Sequence, residues 1–334
     1  MRQVPFFILL IFSSLFSAGQ VDWQNIDSLY GPLPASVHVY KTTSRLDGKP
    51  NIAYYLEADL RDRGLYFSVD TSKNRRLTPA QFYKKGYDSL ALYENFRFPL
   101  VVVNATFFSF ASNQNLNAVI MEGKLVGYNI HTINGRGKDT FTYRHPFGSA
   151  LGISKKREAD IAWLFTDSSS RYPLASQFPV MPVRDSIEKP SWPYLARQVS
   201  VPEHNGFEKW KMRTAVGGGP VLVQKGEIRI TNNEELKFAG KAIADKHPRT
   251  AMGYSGDHKL IILVIEGRYP GIAEGATLTQ EALLLKKLGC LEALNLDGGG
   301  SSCLLVNGKE TIRVSDISGQ RPVPAVFIIR SNRP

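Results

Sequence analysis

Leu260-Ile261-Ile262-Leu263-Val264-Ile265-Glu266-Gly267-Arg268 and, one helix later, Leu294-Asn295-Leu296-Asp297-Gly298-Gly299-Gly300-Ser301-Ser302 decide how this chain is read. The first is the most apolar strand expected in the sequence, and it stops at a carboxylate, a glycine and a guanidinium. Between the two, Thr277 opens a helix with Gln280 as its capping-box partner, and Gly289 closes it. A strand at 293–296 then delivers Asp297 into three glycines and two hydroxyls. A strand at 303–306 and the tight Asn307-Gly308 turn follow. Strands joined by hairpins around a capped helix predict an α+β fold.

Outward from this block the grammar repeats. Residues 36–46, 51–60 and 65–70 read as strands from their β-branched and aromatic enrichment. Thr78 caps a short helix with Pro79 at its first position and Gln81 completing the box. A strand at 99–103 runs into Asn104-Ala105-Thr106-Phe107-Phe108, residues 120–126 form a hairpin around Gly123, and residues 323–330 end the fold. The expectation is one globular domain with a mixed, largely antiparallel β-sheet core and a few packed helices. Its body is 95–331, and residues 20–94 belong to it or pack on it. Residues 167–208 stand apart. Pro173, Pro179, Pro182, Pro190 and Pro193, interleaved with aromatics and charges, argue against regular elements there and for a long insertion or lid. Trp192, Tyr194 and Trp210 either stack on a sugar face or pin that segment to the body.

An apolar share of 43% supplies a sizeable core. Met1-Arg2-Gln3, the apolar run from Val4 to Phe16, and Ser17-Ala18-Gly19 read as a secretory signal peptide over 1–19, which implies export to a periplasm or beyond the cell. That run falls short of the about 20 residues of a membrane span, and nothing later in the chain is long and apolar enough, so no integral span is expected in the mature chain. Cys290 and Cys303 are the only cysteines. They exclude a disulfide scaffold and read as two free buried thiols. The formal charge of +11 comes from short, scattered basic pairs without a nucleic-acid motif, so no nucleic-acid partner is expected.

Several strand ends carry chemistry. The three glycines can adopt φ > 0 and bare their amides, so Asp297 either faces a ligand beside Gly298, Gly299, Ser301 and Ser302 or stabilises a hairpin turn. Asn104 is open to the same two readings. Arg213 to Pro220 offers a second bare concavity at Gly218 and Gly219, or a Gly-Pro turn. In His247-Pro248-Arg249-Thr250, Arg249 is held as suits a bidentate grip on phosphate, or as a structural ion pair. Glu266 and Arg268 can hold sugar hydroxyls, phosphate or each other. With Asp297, Glu266 makes the pair of carboxylates that glycoside cleavage commonly needs. No nucleophile elbow, metal-ligand spacing, calcium loop or Walker loop is present, and no metal or cofactor is expected.

Taken in order, these segments resemble one family. Asn104-Ala-Thr-Phe-Phe is similar to its Asn-Gly-Gly-Phe-Phe motif, Arg213 to Pro220 to its glycine-rich segment, and His247-Pro-Arg-Thr-Ala-Met-Gly to its Pro-Arg-Thr-Ala-Ile-Gly motif. Glu266 through Gly275, the helix and Asn295 to Ser302 look like its hallmark block, and Arg321-Pro322-Val323 like its closing segment. The family is the phosphodiester glycosidase domain of the mannose 6-phosphate uncovering enzyme and its bacterial relatives. Two positions depart from its pattern: Glu266 stands where Asp is usual, and Ala105-Thr106 where Gly-Gly is usual.

The resemblance implies hydrolysis of a sugar-1-phosphodiester, of the N-acetylglucosamine type, between the anomeric carbon and oxygen. It assigns Asp297 and Glu266 as the carboxylates, in either order, and Arg249, Thr250 and Arg268 to phosphate. Asn104, Ser301 and Ser302 would hold sugar hydroxyls or phosphate oxygens, with amides from Gly218, Gly219, Gly298 and Gly299. The substrate would be a glycan or sugar phosphodiester of the envelope or the exterior. Two other readings stay open: a non-catalytic carbohydrate-binding or exopolysaccharide accessory protein, and a phosphodiesterase that attacks phosphorus.

Overall fold

An aliphatic strand without alternation needs cover on both faces, and Lys259–Ile265 receives it. Leu260, Ile262 and Val264 point into the central core, while Ile261, Leu263 and Ile265 pack on the other face with Ala282 and Leu285 of the helix Leu278–Lys287. The computed structural model describes residues 21–73, 75–88, 97–199 and 206–332, so the expected signal peptide lies outside the described residues.

Lys259–Ile265 pairs with Ala53–Asp59 on one side and Arg249–Ser255 on the other; Cys290–Asn295 and Val221–Gln224 extend this eight-stranded sheet. A five-stranded sheet sets Ala325–Ser331 between Leu65–Thr71 and Phe98–Asn104. The early strands are thus paired directly with the last ones. In Phe98–Asn104, Val101 and Val103 enter the central core, and Val102 meets Phe82 of the helix Pro79–Asp88. That helix has the expected box, with Thr78 N–H on Gln81 Oε1 at 2.8 Å and Gln81 N–H on Thr78 Oγ1 at 3.2 Å. A seven-stranded sheet built on Gly148–Ser154, Ala159–Phe165 and Met212–Gly217 brings Leu151, Trp163 and Val216 to the same core. Three sheets therefore share one interior, and each long helix seals an outer face.

Two expectations change. Every strand pairing among the described residues is antiparallel, so the sheets are not mixed. Hairpins supply only some of the neighbours: Lys259–Ile265 and Cys290–Asn295 flank Arg249–Ser255 and are joined across it by the helix Leu278–Lys287, and Ala325–Ser331 finds both its partners far back in the chain. The described part of the 167–208 segment, moreover, does hold regular elements. Leu174–Ser176 pairs with Ala159–Phe165, Val183–Asp185 pairs with Tyr143–His145, and Trp192–Gln198 is helical. Pro173 and Pro182 precede short strands and Pro193 sits in the first helical turn, where a missing N–H is tolerated. The aromatics pin the segment. Trp192 packs between Phe165 and Phe207 at ring separations of 4.9 and 4.8 Å, Trp210 donates to Asp160 at 2.5 Å, and Tyr194 donates to Asp185 at 3.0 Å. Cys290 and Cys303 are free and buried.

Candidate active site

The strand Cys290–Asn295 leads through Leu296 into Asp297 and the single turn Gly299–Ser301. Backbone amides stitch this exit to its neighbours: Leu296 N–H to Thr250 O (2.8 Å), Asp297 N–H to Ala105 O (3.1 Å), Gly299 N–H to Pro248 O (2.8 Å). The three sequence motifs around 104, 248 and 297 thus converge.

Buried hydrogen bonds lock the junction. Asn104, fully buried, donates from Nδ2 to Asp297 O at 2.5 Å; its Oδ1 accepts from Thr250 Oγ1 at 2.9 Å and Cys303 N–H at 3.0 Å. Thr250 and Ser302 hydroxyls exchange a further bond at 3.1 Å. Asn104, Thr250 and Ser302 were expected on substrate; they are instead enclosed, and they hold the turn. Sheet ends with bare strand amides need such internal acceptors.

The glycines serve close approach more than amide donation. Gly299 adopts φ +61°, and a Cβ there would lie 2.9 Å from Arg268 Nη2; a side chain at Gly300 would overlap the Arg321 guanidinium. Gly299 N–H is taken by Pro248, and Gly298 N–H turns to the Asp297 carboxylate. The expected ligand-facing amides are therefore occupied, and two guanidinium groups lie over the turn in their stead. Arg268 is exposed and, among the described residues, has no ion-pair partner. Arg321 pairs with Asp316 at 2.8 Å and reaches Ser301 Oγ at 3.4 Å. Burial pushes the Asp297 carboxyl up to about 6, against the pull of Ser301, Arg321 and Gly298 N–H.

The other expected site residues are placed differently. Arg249 and Thr250 lie on opposite faces of one strand. Arg249 is buried toward the helix side, with Nε on Ala276 O at 2.8 Å and Nη2 on Asp245 O at 3.0 Å. It faces Glu281, whose carboxyl burial pushes up to about 8. Two of its three guanidinium nitrogens are thus engaged by backbone carbonyls. Glu266 is buried, and burial raises its pKa; its Oε1 accepts Arg313 N–H at 3.0 Å. Among the described residues no hydrogen bond or ion pair joins it to the glycine turn. Gly218 N–H goes to Ser149 O and Gly219 N–H to Asn295 O, at 3.0 and 2.7 Å, so that concavity is also closed.

What Gly219 permits is the approach of residues that the motifs did not mark. At φ +113°, a Cβ on it would overlap Glu235 and lie 2.7 Å from Lys237 Cε. Glu235, buried, accepts from Ser149 N–H and Oγ, Trp163 Nε1, Val221 N–H and Thr231 Oγ1. Lys237 has its Nζ 5.4 Å from the Phe107 ring centre, and burial pushes its pKa down. Both line a cavity of about 250 Å³ with Phe107, Asn117, Asn129 and Phe238. Asn117 is buried, its Nδ2 on Gly218 O at 3.2 Å and its Oδ1 without a partner among the described residues. Phe107 lies two residues past Ala105, which binds Asp297, so cavity and turn share a wall. His247 adds an imidazole near Arg268 with Nδ1 buried and unpartnered. The signals for Arg321 and His247 were present in their motifs; Asn117, Glu235 and Lys237 sit in unremarkable sequence. A larger cavity of about 530 Å³, lined by Pro32, Leu33, Asp62 and Asn332, lies where residues 32–35 and 62–64 approach the last described residues, and holds a single carboxylate.

Comparison with known proteins places this arrangement. The phosphodiester glycosidase family matches residues 99–330. An SPbeta prophage-derived uncharacterized protein, YomE, of Bacillus subtilis (strain 168) is 41% identical over 71 residues, which span 21% of this chain and 11% of that protein. Three solved structures share the fold. A hypothetical protein from Synechocystis superposes with a TM-score of 0.59 at 14% identity, over 94% of this chain and 64% of that one. The zebrafish N-acetylglucosamine-1-phosphodiester alpha-N-acetylglucosaminidase catalytic domain, auto-inhibited by its pro-peptide, gives 0.53 at 21% identity, over 94% and 84%. A putative exported protein from Burkholderia pseudomallei K96243 gives 0.55 at 16% identity, over 84% and 74%.

Proposed function

The chain belongs to the phosphodiester glycosidase family, and from that premise we propose that it hydrolyses sugar-1-phosphodiesters by breaking the bond between the anomeric carbon and oxygen. The observation that carries the proposal is Asp297: one carboxyl, raised to about 6, at a turn over which Arg268 and Arg321 lie.

A departing phosphomonoester is already a good leaving group, so the reaction needs little proton donation. It needs a carboxylate at the developing oxocarbenium centre and cations on the leaving phosphate. Asp297, ionised above about pH 6, supplies the first, as nucleophile or as base for water. Arg268, exposed and without an ion-pair partner among the described residues, supplies a fork for phosphate, with Arg321 behind it. Water oxygen ends on the sugar, and the bridging oxygen leaves with phosphorus.

The sugar is assigned to the 250 Å³ cavity. Phe107 and Phe238 give apolar walls, while Asn117 Oδ1 and Lys237 Nζ give an acceptor and a donor, a combination suited to an N-acetylhexosamine. We take the protein as exported, on the leader-like residues 1–19, and its substrate as an envelope or extracellular glycan.

The test is incubation with UDP-N-acetylglucosamine, or a simpler N-acetylglucosamine phosphodiester, in oxygen-labelled water. Label in the released sugar is expected. Label in phosphate would transfer the reading to attack at phosphorus, and saturable binding without product would make this a carbohydrate-binding protein.

A further inference from the structure

The strand Met212–Gly217 ends beside the candidate site at Gly217, and its other end, about 17 Å away, opens onto a second concavity. This groove, about 440 Å³, is lined by Lys124, Lys155, Lys156, Arg171 and Lys211, with Glu122 and Glu158 as its carboxylates. A crevice of about 80 Å³ beside it adds Arg157, Arg213 and Tyr66. Seven cations therefore face two carboxylates, against 41 to 30 in the whole chain. General basicity does not account for that ratio.

Little inside the fold neutralises this charge. Arg213 pairs with Glu122 at 3.2 Å, and Arg157 is spent on the carbonyls of Leu60, Asp62 and Leu65. Among the described residues, Lys124, Lys155, Lys156, Arg171 and Lys211 have no carboxylate within ion-pair distance. Arg63 and Arg97 add positive charge at the edge, within electrostatic reach of Arg157. A further signal comes from Thr214, buried in the crevice wall with its Oγ1 unpartnered. Like charges gathered in a concave surface are relieved by a polyanion that spans them.

We propose that this groove binds an anionic polysaccharide whose repeating units are joined through phosphate, so that a linkage further along the chain reaches the Asp297 turn. The inference rests on the phosphodiester glycosidase reading for its choice of polymer. Its surface chemistry favours that choice. Tyr66 already carries the Arg97 and Arg213 guanidinium groups, each 4.7 Å from its ring centre, and its hydroxyl bonds Glu122, so its ring is engaged within the fold and not presented for base stacking. Tyr172 and Met212, the apolar lining of the main groove, leave little to insert into a bilayer.

The experiment measures binding of labelled poly(N-acetylglucosamine 1-phosphate) to the full chain carrying Asp297→Asn, so that cleavage does not intrude. Affinity is expected to fall about tenfold or more as salt rises from about 50 to about 200 mM, by counterion release. Combining Lys155→Glu, Lys156→Glu and Lys211→Glu on exposed, unpaired positions is expected to weaken binding about tenfold or more, with the melting temperature retained. Unaltered affinity in that variant, or equal binding of uncharged dextran, overturns the proposal. So does tighter binding of duplex DNA or of phosphatidylglycerol vesicles than of the polymer. Polymer binding that depends on these lysines, alongside a native protein that releases no sugar, would uphold the groove and remove the hydrolase reading.

Discussion

Asn104 donates its side-chain amide to the backbone carbonyl of Asp297, joining two strand ends 193 positions apart in the chain. The same Asn104 oxygen accepts from the Thr250 hydroxyl and from Cys303 N–H, so one buried side chain ties together three motifs. Replacing it with Ala should cost about 1–3 kcal/mol, because buried donors and an acceptor lose their partners. Urea unfolding reads the loss. Turnover should fall further than stability alone explains, since the Asp297 backbone is released.

Asp297 couples activity to pH. Its folded pKa of about 6 lies above the ordinary carboxyl value of 3.8, so the native state holds an extra proton between those limits. By linkage, stability contributed by this group falls as pH rises through that window. Activity should do the opposite, with kcat/KM rising to half its plateau near pH 6 as the carboxylate forms. A pH series of kcat/KM beside a pH series of melting temperature checks both signs.

Arg249 and Arg268 should separate cleanly. Arg249→Ala strips two carbonyls of their charged donor, a loss of about 1–3 kcal/mol. Arg268→Ala should leave melting unchanged and lower kcat/KM about tenfold to hundredfold, the scale of a charge-assisted hydrogen bond. Thermal melts and steady-state kinetics on the two variants decide this; reversed outcomes would return Arg249 to the phosphate.

Lys237→Met keeps the length of the side chain in the cavity beside Phe107 and removes its donor. KM for an N-acetylhexosamine phosphodiester should rise about tenfold, with a smaller effect on a substrate lacking the acetamido group. Kinetics with the paired substrates read the difference.

Local chemistry made much of the fold legible. Thr78-Pro79-x-Gln81 and Thr277-x-x-Gln280 announced their helices, because capping is decided within four residues. The aliphatic run at 260–265 announced a doubly covered strand. Position within a buried strand was harder. Arg249 and Thr250 alternate across a sheet enclosed on both sides, so nothing in the sequence says which one faces the cleft. The prolines of 167–208 signalled irregularity throughout, where Pro173 and Pro182 merely precede short strands and Pro193 sits in a first helical turn. For Asn117, Glu235 and Lys237 there was no local signal, since only tertiary packing around Gly219 brings them together.

The central claim is that the Asp297 carboxylate performs the cleavage, and Asp297→Asn tests it with minimal change of shape. Sugar release from N-acetylglucosamine phosphodiester by this variant should fall by at least about a thousandfold, while its melting temperature above pH 6 equals or exceeds that of the native chain, since a buried charge is gone. Release within a few-fold of the native rate, from a variant folded to the same degree, would contradict the account.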